Sequence, residues 1–267
     1  MKLKRYLALT RAGIIESLQF RIAMIVMVIG NLLYLTLVYF LWKSIYASAG
    51  TDVVNGMTFT DTLIYLVLAT ALFNFMEMYT VWEIGRNIQS GKIVLDLIKP
   101  MEYRSYLFWS YSGTFAVQFF TTFLPTFIIV AVLTQGAVPI GINLVWFVIS
   151  VAIAVTINYS IDFIVGTICL YTESIWGINI MKQVIVLLLS GATIPLDFFP
   201  EELRMIVECL PFQSIYNAPL TILLKADPAP AEVLPVIGIQ LAWAAVMTAA
   251  GCLFWKCSLR QITVNGG

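Results

Sequence analysis

Long runs of apolar residues follow one another along this chain and are separated by short polar segments. A helix needs roughly 20 consecutive apolar residues to cross a hydrocarbon core of about 30 Å. Six runs have that length, whereas the strands of a membrane barrel would alternate in segments of about ten residues. We therefore predict an all-α integral membrane protein with six transmembrane helices, at about residues 22–42, 62–82, 106–133, 142–170, 178–196 and 233–255.

The composition agrees with this class of protein. Of the 267 residues, 60% are hydrophobic and 11% are charged, and the mean hydropathy is +0.91. Ordinary soluble domains are far less apolar. The chain has no histidine, no G-x-S-x-G motif and no clustered set of metal ligands. The sequence therefore predicts neither a membrane-embedded enzyme nor a metal site.

The lysines and arginines predict which ends of the helices face the cytoplasm. With the N-terminus inside, twelve of the fifteen basic residues fall on the cytoplasmic side, and only Lys43, Arg204 and Lys225 fall outside. Basic residues are strongly favoured on the cytoplasmic side of a membrane. Both termini are therefore predicted to be cytoplasmic, as an even number of spans also requires.

Residues 1–21 predict an amphipathic helix that lies in the inner membrane interface before the first span. One helical face is mostly apolar and the basic residues lie elsewhere on the helix. The members of that face are Leu3, Leu7, Thr10, Ile14 and Leu18. A simple membrane anchor would account for this pattern, and a further role would need a partner that touches the helix.

The segment 83–105, between the second and third spans, predicts a short cytoplasmic helix. Lys92, Asp96 and Lys99 share one helical face, and Pro100 ends the helix. The apolar side chains beside that face form two pairs, Ile93 with Leu97 and Val94 with Ile98. So much apolar surface should be covered. The sequence pattern does not decide whether the cover is lipid, the chain's own spans or a partner protein.

The same segment does not match a nucleotide-binding loop. Gly85 and Gly91 are separated by five residues instead of four, and Ile93 follows Lys92 where a serine or threonine would bind magnesium. The chain is therefore predicted to have no nucleotide site of its own.

The segment 197–225 interrupts the apolar pattern near the outer face. Pro200 and Glu201 suit the first turn of a short helix, and Pro211 ends it. This helix, like the apolar piece at 214–225, is too short to cross a bilayer. We therefore predict a re-entrant helical hairpin between the fifth and sixth spans, acting as an extracellular gate with Pro195, Pro200, Glu201 and Pro211.

Two ionisable residues are predicted inside spans. Glu77 and Asp162 would each cost roughly 2.5–3.5 kcal/mol at the centre of a membrane helix, so they should face protein or water. Together with Asn158 they are candidates for the translocation path, although internal hydrogen bonds to Asn74 or Asn158 would explain them equally well. Lys182 is expected to extend towards the inner interface.

Two stretches, "NIQSGKIVLDLIKPMEYRSY" and "LLSGATIPLDFFPEELRMIVECLPFQSIYNAP", resemble the permease subunit of type 2 ATP-binding-cassette (ABC) exporters. The resemblance extends over nearly the whole chain. It implies two permeases, identical or different, on two ATP-binding subunits that hold ATP and magnesium, while this chain holds no cofactor. It also implies a multi-pass protein of the bacterial cytoplasmic membrane that binds no nucleic acid.

The resemblance further implies that residues 83–105 form a coupling loop, whose helix sits in a cleft of the ATPase. We expect the docking residues to be Ile93, Val94, Leu97 and Ile98, and the polar contacts to come from Arg86, Lys92, Asp96 and Lys99. The implied function is outward transport of an amphipathic or hydrophobic compound, such as a drug or lipid, by alternating access.

The main rival is an ion-coupled secondary transporter, or a channel-like protein, without an ATPase. Such transporters usually have repeated halves with matching broken helices. This sequence has no evident repeat and only one broken region, so the exporter is favoured.

Overall fold

A computed structural model describes residues 2–19, 21–77, 79–134, 136–172 and 175–261 of the chain. Helices account for most of these residues. They are α1 (Lys2–Gln19), α2 (Arg21–Ala49), α3 (Phe59–Met76), α4 (Thr80–Gln89), α5 (Ile93–Leu97), α6 (Tyr103–Gln118), α7 (Leu124–Leu133), α8 (Asn143–Ile168), α9 (Ile175–Leu189), α10 (Glu201–Glu208), α11 (Asn217–Leu224) and α12 (Pro230–Ser258). Short 3₁₀ turns occupy Leu196–Phe198, Phe212–Ser214 and Leu259–Gln261.

Five helical runs in the described part of the chain are long and apolar enough to cross a membrane. They are Val28–Ala49, Phe59–Gln89, Tyr103–Leu133, Asn143–Ile168 and Pro230–Ser258. Each overlaps one of the predicted spans, and the run at Phe59–Gln89 is interrupted between α3 and α4. The third run is continuous because a π-helical turn, Phe119–Phe123, joins α6 to α7. Pro125 follows directly, and the wider turn accommodates a ring that would clash with a carbonyl of a regular helix.

The second predicted span, 62–82, is not one continuous helix. α3 ends at Met76 with Glu77 in an extended conformation, and α4 begins at Thr80. The run is apolar enough to be one span, and no proline or glycine in the sequence marks the break. At the break, the side chain of Asn158, which lies far along the chain in α8, donates a hydrogen bond to the carbonyl of Met76 at 2.9 Å.

The fifth predicted span, 178–196, differs more strongly from the structure. α9 has only 15 residues, a length of about 22 Å, and is too short to cross a bilayer as a straight helix. The helix stops because Gly191 has a φ of 79°, a conformation that glycine adopts without strain. The apolar run therefore continues into the hairpin that follows.

α8 lies at the centre of the molecule and α2 at its edge. α8 packs against α4, α9, α11 and α12. In the most apolar part of α8, 56% of the residues are buried, whereas in that of α2 only 6% are buried. α2 is apolar on all sides, so its exposed surface needs lipid or another protein as its environment.

α1 packs along α6. A Cβ atom on Gly13 would lie 2.5 Å from the carbonyl oxygen of Ser110, so the two backbones are close. Beside this crossing, the hydroxyls of Thr10 and Ser112 are 2.6 Å apart, and the Ser17 hydroxyl donates to that of Thr114 at 3.0 Å. Small and hydroxylated residues thus fix the N-terminal helix to the third apolar run.

Two short strands depart from the all-helical prediction. β1 (Val53–Val54) pairs antiparallel with β2 (Met57–Thr58) through a turn in which Asn55 and Gly56 both have positive φ. This is the usual residue pair of a tight hairpin turn. Thr58 and Asp61 then cap the N-terminus of α3 reciprocally, each side chain accepting the other residue's backbone N–H.

Candidate functional site

The segment between α4 and α6 forms a compact elbow with α5 at its tip. The backbone turns at Gly91, which has a φ of 72°, and α5 starts two residues later. Ile93 is 2% exposed and belongs to the main hydrophobic core. The Tyr111 hydroxyl donates to the Glu83 carboxylate at 2.5 Å and ties α4 to α6. The short helix is therefore fixed to the body of the protein.

A polar clasp centred on Asp96 holds the two sides of the elbow together. One carboxylate oxygen accepts from Lys99 Nζ at 2.7 Å, and the other accepts from Asn87 Nδ2 at 3.1 Å. Lys99 also lies 3.9 Å above the centre of the Tyr106 ring. Burial by itself would lower the pKa of Lys99, but its hydrogen bonds to Asp96 and Tyr106 outweigh that effect, so its pKa lies above the ordinary value.

The apolar side chains that α5 presents outward differ from the predicted set. Ile93 is buried, and Val94 and Leu97 pack partly against the core. The exposed side chains are Ile98, which is 75% exposed, and Leu95, which is 60% exposed. Leu95 was missed because the predicted faces assumed a longer regular helix, whereas α5 has five residues and Ile98 caps it.

The predicted polar contact residues divide between the surface and the clasp. Arg86 and Lys92 are exposed, whereas Asp96 and Lys99 pair with each other. The exposed pair lines an open groove of the elbow. The residues around that groove are Glu83, Arg86, Asn87, Gln89, Ser90 and Lys92.

The three predicted translocation-path residues come together where the second span breaks. Glu77 is the residue at the break, Asn158 caps the end of α3, and Asp162 lies one turn further along α8. Lys182 of α9 joins them, with Nζ 2.8 Å from Asp162 Oδ1. The expectation that Lys182 extends to the interface is wrong, because its side chain is only 12% exposed.

The alternative hydrogen bonds considered for these residues are not the ones formed. Asn74 bonds to Asn31 of α2, and Asn158 bonds to the Met76 carbonyl. Asp162 is instead neutralised by Lys182, a partner that no local pattern indicates because it lies 20 residues away on another helix.

The segment predicted as an outer hairpin has two unlike halves. α10 is largely exposed, whereas α11 is largely buried against α8 and α3. Among the predicted gate residues, Pro195 and Pro211 are buried, and Pro200 and Glu201 are exposed. Phe198 packs edge-on against Trp42 of α2 at 4.7 Å and Val207 is fully buried, so α10 is held at both of its ends.

Buried hydrogen bonds fix the inner half of this hairpin at two levels. Gln240 of α12 donates to the carbonyl of Ser214 at 2.8 Å and accepts from the Ser150 hydroxyl of α8 at 2.8 Å. Asn143, at the start of α8, donates to the Leu223 carbonyl at 2.6 Å. Ser150 lies seven residues beyond Asn143, or about 10 Å along the helix. The segment from Ser214 to Leu223, which contains most of α11, therefore rises by about that distance along α8.

A family model described as "ABC-2 family transporter protein" matches residues 32–266, which include the elbow, the break in the second span and the hairpin. No curated protein matches the chain.

Proposed function

This chain belongs to the ABC-2 family of transporter proteins, and from that premise we propose that it is the permease subunit of an ATP-driven exporter. As a member of the family it is a multi-pass membrane subunit of an ABC transporter. The proposal adds the direction of transport, which is outward, and the mode, which is alternating access. The cargo is an amphipathic or hydrophobic compound such as a drug or lipid.

The proposed topology has six crossings with both termini in the cytoplasm of a bacterium. The five long apolar runs support five crossings, and α9 with the apolar residues that follow it supplies the sixth. The rise of about 10 Å between Ser214 and Leu223 supports a re-entrant hairpin on the outer side. The excess of basic residues supports the orientation in the inner membrane.

The observation that best supports coupling to an ATPase is the exposure of Ile98 and Leu95 on a firmly held helix. An apolar tip in the cytoplasm is unfavourable in water and suits a cleft in a partner protein. Ile93 and the Asp96 clasp would keep this tip rigid when the partner pushes on it. Arg86 and Lys92 supply polar contacts from the groove beside it.

The route from the elbow into the membrane runs through α4. A Cβ atom on Gly166 of α8 would lie 2.7 Å from the Ile84 side chain, and one on Gly85 would lie 2.7 Å from Ile175 of α9. Such close packing lets a displacement of α4 move α8 and α9, while the break at Glu77 separates α4 from α3. A partner can drive this motion only if it binds the two states with different affinity.

The proposed assembly contains two ATP-binding subunits and a second permease, identical or different. ATP and magnesium would bind in the ATPase subunits, and this chain supplies no catalytic group. The apolar α2, of which so little is buried, supports a contact with the second permease or with membrane lipid. An ion-coupled transporter is the second candidate, and the charged residues around the break favour it.

One purification separates these functions. The tagged chain is extracted gently from its native membrane, and its co-purifying proteins and ATP hydrolysis are measured. A stoichiometric ATPase with hydrolysis is expected, and the number of permease species then shows whether the pair is identical. A pure chain without ATPase would overturn the proposal in favour of the ion-coupled transporter.

A further inference from the structure

A small pocket opens at the break in the second span, and we propose that it binds the ammonium group of an amphipathic organic cation. This inference rests on the proposed function and adds a substrate class to it. The pocket is lined by Phe73, Met76, Glu77, Asn158, Lys182, Gln183, Val186 and Tyr216. These residues come from α3, the break, α8, α9 and the hairpin, so a bound group would contact α8 and α9, which move in the proposed mechanism, as well as α3 and the hairpin.

Charge is the first argument for a cation. Lys182 is already committed to Asp162, since their charged atoms are 2.8 Å apart. No hydrogen bond or ion pair joins the Glu77 carboxylate to any residue that the structure describes. The pocket and its immediate wall thus contain two carboxylates and one ammonium group. Lys182 attracts Glu77 only at longer range while it pairs with Asp162, so one positive charge faces two carboxylates, which are costly in a membrane span.

Unused acceptor atoms beside the break are the second argument. Thr80 Oγ1 and Asp162 Oδ2 are both buried and have no hydrogen-bond partner among the described residues. The hydrogen bond between Met76 and Asn158 and the close contact between Ile84 and Gly166 both join residues 82 positions apart. Thr80 and Asp162 have the same separation, so they lie at one level on facing helices. Neither residue lines the pocket itself, so these acceptors add to the polarity around a bound ammonium group rather than contacting it.

The apolar part of the pocket selects the kind of cation. The rings of Phe73 and Tyr216 pack at a tilt of 48° with their centres 6.1 Å apart, and Met76 and Val186 complete the wall. Aromatic faces attract cations as well as hydrocarbon. The space open to the centre of a water molecule is only about 20 Å³, enough for one water-sized group. The pocket therefore suits the head of a cation whose apolar remainder lies outside it.

Metal ions fit this site less well than an amine. No group of three or more His, Cys, Asp or Glu side chains with the arrangement of a metal site occurs among the described residues. An alkali ion would also contact the aromatic and aliphatic walls without gaining the dispersion contacts that an alkylamine makes there.

The test compares two probes that differ only in charge. A dansyl-labelled alkylamine and the same molecule ending in a hydroxyl group are titrated against the full chain in phosphatidylcholine nanodiscs, whose lipid has no net charge. The amine is expected to bind at least about tenfold more tightly than the alcohol. Glu77→Gln should abolish this preference and leave the affinity for the alcohol unchanged, while Glu77→Asp should retain part of it.

A matched control and a competition experiment complete the test. Glu202→Gln removes an exposed carboxylate of α10 and should keep the full preference for the amine. Equal affinities for the two probes in the unmodified chain, or an unchanged preference in Glu77→Gln, would overturn the inference. Displacement of the amine by millimolar sodium or potassium, but not by choline at equal ionic strength, would identify an alkali-ion site and also overturn it.

Failure of this inference can be distinguished from failure of the proposed function. ATP hydrolysis by the co-purified complex is measured in the same nanodiscs. Normal basal hydrolysis without any preference for the amine rejects only the cation site. A chain that binds the amine but has no ATPase partner supports the site and rejects the ATP-driven exporter.

Discussion

The elbow at α5 and the hairpin of α10 and α11 are both made of short helices between longer ones, yet they are held in opposite ways. The elbow has one buried anchor, Ile93, and one polar clasp around Asp96, and it exposes Leu95 and Ile98. The hairpin buries α11 almost completely and fixes it by hydrogen bonds from Gln240 and other buried side chains.

This difference separates a surface suited to binding from a segment suited to sealing. Buried backbone carbonyls that accept from side chains are expensive to release, so α11 should stay in place. The elbow loses little when its exposed tip enters a cleft, because that tip makes few contacts within the chain. The following predictions alter one of these regions and compare the result with a matched variant elsewhere.

The largest effect is expected from Ile98→Asp. A charge on the exposed tip of the elbow should weaken ATPase association by at least about 30-fold, the loss typical of a central interface residue. Co-purification and ATP hydrolysis measure it. Ile206→Asp is the control, because Ile206 is also well exposed, at 61%, but lies on α10. Equal loss in both variants would contradict the distinction between the two regions.

Gln240→Leu should destabilise the hairpin without affecting ATPase association. It leaves the buried Ser214 carbonyl and Ser150 hydroxyl without a partner, at a cost of about 1–3 kcal/mol. Thermal unfolding of the purified chain measures the loss. Thr36→Val is the reference, because the hydroxyl of Thr36 is exposed and bonds only within its own helix. A melting temperature equal to that of the reference would show that this bond does not hold α11.

Alanine in place of the two turn glycines should show the same asymmetry. Gly91 and Gly191 both have left-handed φ, which costs another residue about 1–2 kcal/mol. A Cβ at Gly91 meets nothing within 4 Å, whereas one at Gly191 would lie 2.8 Å from the Tyr65 hydroxyl. Gly191→Ala should therefore lower the stability more than Gly91→Ala in the same thermal assay, and the reverse order would contradict the packing described for the hairpin.

The smallest effect is expected from Asp96→Asn. The pair with Lys99 is partly exposed, so its loss should change the stability by less than about 1 kcal/mol. The expected change is functional, with less cargo transported per ATP because the elbow transmits force less rigidly. Transport and hydrolysis are measured together in liposomes. Glu102→Gln, on the exposed side of the same loop, should leave that ratio unchanged.

The helices could largely be predicted from the chain because membrane helices satisfy their backbone hydrogen bonds locally. Their ends could not. α3 ends at Met76, whose carbonyl accepts from Asn158, 82 residues away, and α9 ends at Leu189, shortly before the turn at Gly191, although the apolar run continues. The hydropathy of a segment predicts whether it lies in the membrane. It does not predict where the helix ends, because that can depend on a hydrogen bond from a distant side chain.

Part of the candidate site was also visible in the sequence. A charge within an apolar run is unusual by itself, so Glu77 and Asp162 could be found without a structure. Lys182 could not be assigned as the partner of Asp162 from the sequence. A lysine near the end of a span can either extend to the membrane interface or pair with a buried carboxylate, and the same sequence position fits both. For the elbow, Ile98 is exposed, as a docking residue would need to be, but the burial of Ile93 depends on how α5 rests on the core.

The sequence by itself determined that this is an all-helical membrane protein and where most of its long helices lie, because both follow from the length and composition of contiguous segments. The tertiary structure alone decided which segments break, which charges pair and which apolar side chains remain exposed. Those outcomes depend on contacts between residues that are far apart along the chain, and no local pattern encodes them.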